Sequence, residues 1–134
     1  MSEKRTQTPL ARAQIVAIGI LMSMISMAAL GVVFAIGLID SNAAIEDVAT
    51  SKIVANVLLA VGFIALGLSY GLRTKLAKKD QFTSVVIGMA VGEFPAVLAL
   101  ANGLLTENYV ASLVLGVTAI ASALLHFPRA SEFR

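Results

Sequence analysis

The chain has no cysteine, no tryptophan and a single histidine, and only 13% of its 134 residues are charged. The missing cysteines exclude disulfides, thiolate metal sites and thiol catalysis. One histidine, His126 in the segment ALLHFPR, supplies neither a ligand cluster for a metal nor a partner for acid–base work. No group of polar residues gathers at a common depth, so neither an enzymatic activity nor a cofactor is expected. His126 reads as an interfacial cap on a helix that Pro128 stops. The shortage of charge excludes most. Ordinary soluble domains carry about 25% charged and about 45–50% apolar residues, whereas this chain is 58% hydrophobic with a mean hydropathy of +0.90. Too few polar side chains remain to cover a water-soluble fold.

What the chain has instead is four long apolar runs, Ala13 to Ile39, Ile53 to Leu72, Ser84 to Leu105 and Tyr109 to Phe127, of 27, 20, 22 and 19 residues. About 20 residues of helix span a hydrocarbon core about 30 Å thick. None of the runs alternates as a barrel strand does, and an isolated apolar segment of this length satisfies its backbone only as a helix. The predicted fold is therefore all-α, a single domain of four transmembrane helices embedded in the lipid bilayer. The first run is too long for the apolar region of a signal peptide, about 7–15 residues, so cleavage is not expected.

Charge gives the orientation. Lys4, Arg5 and Arg12 precede the first run, Arg73, Lys75, Lys78 and Lys79 separate the second from the third, and Arg129 and Arg134 follow the fourth. That leaves Lys52 on the other side with Asp40, Glu46, Asp47 and Glu107. By the positive-inside rule both termini are cytoplasmic, in a plasma membrane such as the bacterial inner membrane. The net charge of +2 reflects this asymmetry, and no nucleic-acid partner is expected. Thr106, Glu107 and Asn108 form so short a link that the third and fourth helices must be antiparallel neighbours, with Asn108 as N-cap. In the longer acidic connection, AAIEDVA is predicted to form a turn of helix on the membrane surface.

The third run holds the candidate site. On a helical wheel, Gly88, Gly92, Ala96, Ala99 and Gly103 fall on one stripe, including the GxxxG of G88MAVG92. In a bilayer such stripes let helices approach closely, because van der Waals packing replaces the hydrophobic effect. The first run has a similar ridge in Gly19, Ser23, Met27, Gly31 and Ala35. Self-association or docking of other membrane subunits is the expected use. Glu93 lies at the edge of the stripe and near the bilayer midplane. An exposed charge there costs several kcal/mol, so this acid is expected to be protonated, paired or turned to a polar cavity. No lysine or arginine occupies the middle third of another helix. Pro95 frees the carbonyl of Val91 next to the acid, and Asn102 is placed to line the same approach or to glue helices together.

The stretch VGEFPAVLALANGLL resembles the carboxylate-bearing helix of the rotary ATPase proteolipid, subunit c. The matching positions are Glu93, Ala96, Ala99 and Leu100, with Pro95 where some members place a proline after the acid. The resemblance covers about residues 53–105 and is most specific over 88–104, while the loop reads KLAKKD where that family has an Arg-Gln-Pro type turn. It implies proton translocation, with Glu93 as the proton-binding carboxyl supported by Gly88, Gly92, Pro95, Ala96 and Asn102, in a homo-oligomer. Phe94 stands where a sodium site wants a hydroxyl, which favours the proton. The alternative is a non-transporting accessory subunit that docks partner helices through its small-residue faces.

Overall fold

The computed structural model describes residues 8–133, so Lys4, Arg5 and Arg134 of the charge pattern lie outside it. Each of the four long helices begins at a side-chain cap, which satisfies backbone N–H groups that have no partner within the helix. Thr8 starts α1 (Pro9–Ala35), with Pro9 in the first turn where its missing N–H costs nothing. Asp47 starts α2 (Val48–Ala77) by accepting from the Thr50 N–H at 2.9 Å. Asp80 starts α3 (Gln81–Leu105) through the N–H groups of Phe82 and Thr83, both at 3.2 Å. Asn108 starts α4 (Tyr109–His126) through the Ala111 N–H at 3.1 Å, as its sequence position predicts. A short 3-10 turn, Ala130–Phe133, follows Pro128.

These ends correct the apolar runs in an instructive way. Polar caps start α1, α2 and α3 several residues before the apolar runs begin at Ala13, Ile53 and Ser84. The first helix closes early instead, because Gly37 takes φ +75°. Its N–H bonds to Phe34 O and that of Leu38 to Val33 O, a Schellman ending that only glycine enters without strain. Ile36 to Ile39, apolar as they are, lie outside α1. The predicted surface helix in AAIEDVA is also absent. The chain there is irregular up to Asp47, and Ile45 N–H instead bonds to Leu105 O at 2.8 Å at the end of α3. An aspartate positioned to cap α2 left no room for a separate helical turn before it.

All four helices are long and apolar enough to cross a membrane. Half of the most apolar stretch of α3 is buried and 44% of that of α4, against 22% for α1 and for α2. The α3–α4 hairpin is accordingly the interior pair, with α1 packed against both members and α2 chiefly against α3. Inside, the side chains are small: Ala13, Ala17, Ala96, Ala99, Ala119 and Ala123 are essentially inaccessible. Outside stand Ile15, Ile18, Met22, Ile53, Ile64 and Val117. Large apolar groups facing out and alanine or glycine facing in is the arrangement of a bundle solvated by lipid tails.

The stripe on α3 is buried along its whole length, and its partners belong to the same chain. A Cβ added to Gly103 would meet the backbone of Gly31, and one added to Gly31 would meet the Ala99 carbonyl. One on Gly92 would find only ordinary contacts with Ser69 of α2 and Ser122 of α4, at 3.7–3.9 Å. The two ridges seen in the sequence thus cross each other near the acidic end.

At the basic end the C-terminal turn is latched to α2. Arg73 donates to Glu132 Oε1 at 2.7 Å and to the His126 carbonyl, while Phe133 packs on the core between α1, α3 and α4. Burial alone pushes the Glu132 carboxyl up. The Arg129 N–H, the hydrogen bond from Arg73 and the charges of both arginines outweigh burial and hold it below its ordinary 4.5. A carboxylate whose folded value is depressed stabilises fully above the unfolded value, and that contribution is lost as pH falls through the folded one. Hydrogen exchange at residues 129–133 is therefore expected to accelerate as pH drops below about 4.5, after correction for the intrinsic rate. Glu132→Gln is expected to remove that dependence.

Candidate functional site

Glu93 stands at the middle of α3, with twelve residues on either side inside Gln81–Leu105. Its neighbour across the helix interface is on α1. Ser23 Oγ donates to Glu93 Oε1 at 2.7 Å. Ser23 is itself near the middle of α1, eight residues before Gly31, so the two contacts, Ser23 with Glu93 and Gly31 with Ala99 and Gly103, follow the same order on both helices. Thus α1 and α3 run parallel and pair at mid-depth through a hydroxyl and a carboxyl.

The acid is half-buried and its serine exposed, on the membrane-facing side of the α1–α3 groove. One turn away, Ser26 Oγ bonds back to the Met22 carbonyl at 2.9 Å. Between this groove and the rest of the bundle lies an apolar cluster of Ala17, Met24, Met89, Ala96 and Ala119. Among the described residues the only ion pair is Arg73–Glu132, at the end of the bundle. No described cation neutralises Glu93.

The residues expected to support the acid are distributed differently. Ala96 is in the apolar cluster at its back. Gly88 faces the Arg73 side chain of α2 and Gly92 faces Ser69 and Ser122. Pro95 is buried and lies near Gly62 of α2, roughly half a turn around the helix from the acid. Asn102 lies more than two turns further along α3. Its amide donates to Asn108 O at 2.9 Å and Ser112 Oγ at 2.8 Å, and its carbonyl accepts from Thr106 Oγ1 at 2.9 Å. It clasps the α3–α4 turn and has no contact with the carboxyl. The ridge on α1 had already marked Ser23 as interfacial. What single-helix periodicity lacked was the pairing of α1 with α3, which depends on tertiary packing.

A second group of polar residues gathers at the basic end, between α2 and α4. The His126 ring is buried, 4.3 Å from the Tyr70 ring and 3.5 Å by Nε2 from Ser69 Oγ. Ser122 Oγ, one turn before His126, is buried with no partner among the described residues. Single-residue reading of His126 as a cap overlooked this group because its members come from two helices, α2 and α4, far apart in the sequence.

A hydroxyl facing a carboxyl is chemically flexible. Serine donates to a carboxylate or carbonyl oxygen and accepts from a protonated acid, so one contact serves both protonation states with only a rotation of the hydroxyl. The comparisons add no relative: no protein-family model, no curated protein and no solved structure matches this chain.

Proposed function

We propose that this integral membrane protein binds and releases a proton at Glu93, on the membrane-facing groove between α1 and α3, in the manner of a proteolipid-like subunit. The observation that carries the reading is the Ser23–Glu93 hydrogen bond at mid-depth, made without a cation among the described residues. A charge exposed to hydrocarbon at that depth costs several kcal/mol, so release of the proton requires a polar surface brought to the groove. A partner helix or a second subunit passing the open side supplies such a surface. The basic end of the bundle then faces the cytoplasm.

A second reading rests on a different feature. Gly19, Ser23 and Ser26 form an exposed small and polar strip along α1 beside the acid, and nothing lies within 4 Å of a Cβ placed on Gly19. Such a strip suits a docked partner helix with Glu93 as a fixed hydrogen-bonding group.

Labelling by a hydrophobic carbodiimide, which attacks protonated carboxyls, separates the two when combined with proton flux in vesicles. In the first reading Glu93 labels rapidly, the rate falls as pH rises, Ser23→Ala alters that profile, and Glu93→Gln abolishes both labelling and flux. If Glu93→Gln assembles normally and carries the same flux as the parent, proton binding is discarded and docking stands.

A further inference from the structure

The basic end of the bundle carries a cleft of about 280 Å³ between the ends of α2 and α4, lined by Tyr70, Arg73, Gln81, Leu125, Arg129 and Glu132 among others. We infer that this cleft binds the headgroup of an anionic phospholipid, with the phosphate on Arg73 and Arg129. The site is independent of Glu93 and goes beyond the proton-binding reading.

Depth is the first argument. At 1.5 Å per residue, the 30 residues of α2 extend about 45 Å, while the hydrocarbon core is about 30 Å thick. The excess brings Arg73, Thr74 and Lys75 into the headgroup layer. Within the cleft, Tyr70 and Leu125 lie deeper than Ala77 and Arg129, because α2 runs outward toward Ala77 and the chain leaves α4 at His126. Leu125 is 62% exposed and Tyr70 43% exposed. An acyl chain therefore meets apolar surface directly beneath the polar mouth. A soluble anion would use the mouth alone.

Donor chemistry is the second. A guanidinium has five N–H groups, and Arg73 gives one to Glu132 and one to the His126 carbonyl, leaving three. Its side chain is only 12% exposed and its position is fixed by those two bonds, so little conformational entropy remains to be lost on binding. The Arg129 side chain is exposed and makes no hydrogen bond among the described residues. Two arginines against one carboxylate give the cleft a net positive charge, and Lys75, Lys78 and Lys79 add longer-range attraction within the same layer. Glu132, held by Arg73 and by the Arg129 N–H, opposes a bare phosphate but accepts from hydroxyls. It selects a headgroup that carries them, such as phosphoglycerol.

The test uses the full chain, stripped of lipid in a neutral detergent and offered phosphatidylglycerol or phosphatidylcholine, with bound lipid counted by native mass spectrometry. Phosphatidylglycerol is expected to be retained in preference. Arg129→Gln, an exposed change outside the Arg73–Glu132 pair, is expected to weaken that retention about fivefold, and Lys78→Gln with Lys79→Gln to weaken it much less. Equal retention of both lipids overturns the assignment. So does an unchanged Arg129→Gln, or a loss from the loop lysines as large as that from Arg129, which would mean diffuse attraction to the loop. Inorganic phosphate bound with the same Arg129 dependence, but without preferential lipid retention, would reassign the cleft to a soluble anion and also overturn the proposal.

Discussion

Gly103→Ala is expected to destabilise the bundle by about 3 kcal/mol or more, at or beyond the upper end of the usual cost of overpacking, and Gly103→Leu to prevent assembly of α1 with α3. The obstacle to a side chain at this position is backbone. A Cβ on Gly103 meets the Cα and carbonyl carbon of Gly31 at 2.8 and 2.7 Å, as well as the Gly31 oxygen, and one on Gly31 meets the Ala99 carbonyl group. Flexible side chains rotate away from an added methyl; a helix backbone has to translate as a unit and gives up its packing on both sides. The other glycines set the scale. Gly67 has nothing within 4 Å, so Gly67→Ala is expected to be neutral or to gain up to about 1 kcal/mol of helix propensity. Gly92→Ala, whose new methyl finds neighbours no nearer than 3.7 Å, is expected to lie close to neutral. Gly31→Ala and Gly103→Ala remove the same close approach, so their double variant is expected to cost less than the sum. Reversible unfolding in mixed micelles, followed by the change in helix content, ranks the series. A Gly103→Ala protein as stable as Gly67→Ala would show that the crossing tolerates separation.

That series also shows what the sequence revealed and what it withheld. Four apolar runs, a stripe of small residues on one face of α3, a tight α3–α4 link with Asn108 at its helix start and a stop at Pro128 all follow from local periodicity and local turn chemistry, and each is present. The GxxxG motif, however, is not where the helices come closest. Gly88 faces the side chain of Arg73, and the tight crossing lies four turns on, at Gly103. Periodicity places small residues on a face but does not say which of them meets backbone. The connection between α1 and α2 was misjudged for a related reason. Asp47 caps α2 and Ile45 pairs with the end of α3, so AAIEDVA is irregular as far as Asp47 and its last two residues begin α2.

The candidate acid follows the same division. Its depth was legible from its position within an apolar run, because rise per residue fixes depth once the span is known. Its surroundings were not, because they depend on which helix lies alongside. The proteolipid resemblance, which covers α2 and α3, names no residue facing the acid. The observed partner is a serine on α1, 70 residues earlier in the chain. That α1 and α3 run the same way follows from alternate crossings, but that they lie side by side depends on packing around the α3–α4 hairpin, which no window of a single helix contains.

Asn102→Leu is the second substitution with a large expected effect, about 2–4 kcal/mol, although leucine is apolar and the site lies within a membrane helix. The reason is the number of groups that depend on one amide. Asn102 is fully buried, and its Nδ2 serves Asn108 O and Ser112 Oγ while its Oδ1 accepts from Thr106. Thr106 also bonds to the Asn102 backbone carbonyl, and Ser112 to that of Ala99, so both hydroxyls keep one acceptor after the change. The Asn108 carbonyl keeps the Ser112 N–H at 3.4 Å, but its shorter bond from Nδ2 and those that Asn102 makes with Ser112 and Thr106 are lost, together about 1–3 kcal/mol. The branched side chain must then fit where Asn102, Thr106 and Ser112 already fill the turn, a further overpacking cost of about 1–3 kcal/mol. Asn102→Asp is expected to be worse still. It keeps the bond from Thr106 but turns a carboxyl oxygen toward the Asn108 carbonyl, and in its ionised form it would bury a charge without a cation. Asn56, exposed on α2, provides the control, and Asn56→Leu is expected to change stability by less than about 0.5 kcal/mol. Unfolding in mixed micelles measures all three. Proteolysis at Glu107 reports whether the α3–α4 turn opens first, since the damage to the clasp is local to residues 99–112. Equal stability of Asn102→Leu and Asn56→Leu would mean that van der Waals packing alone holds the hairpin closed.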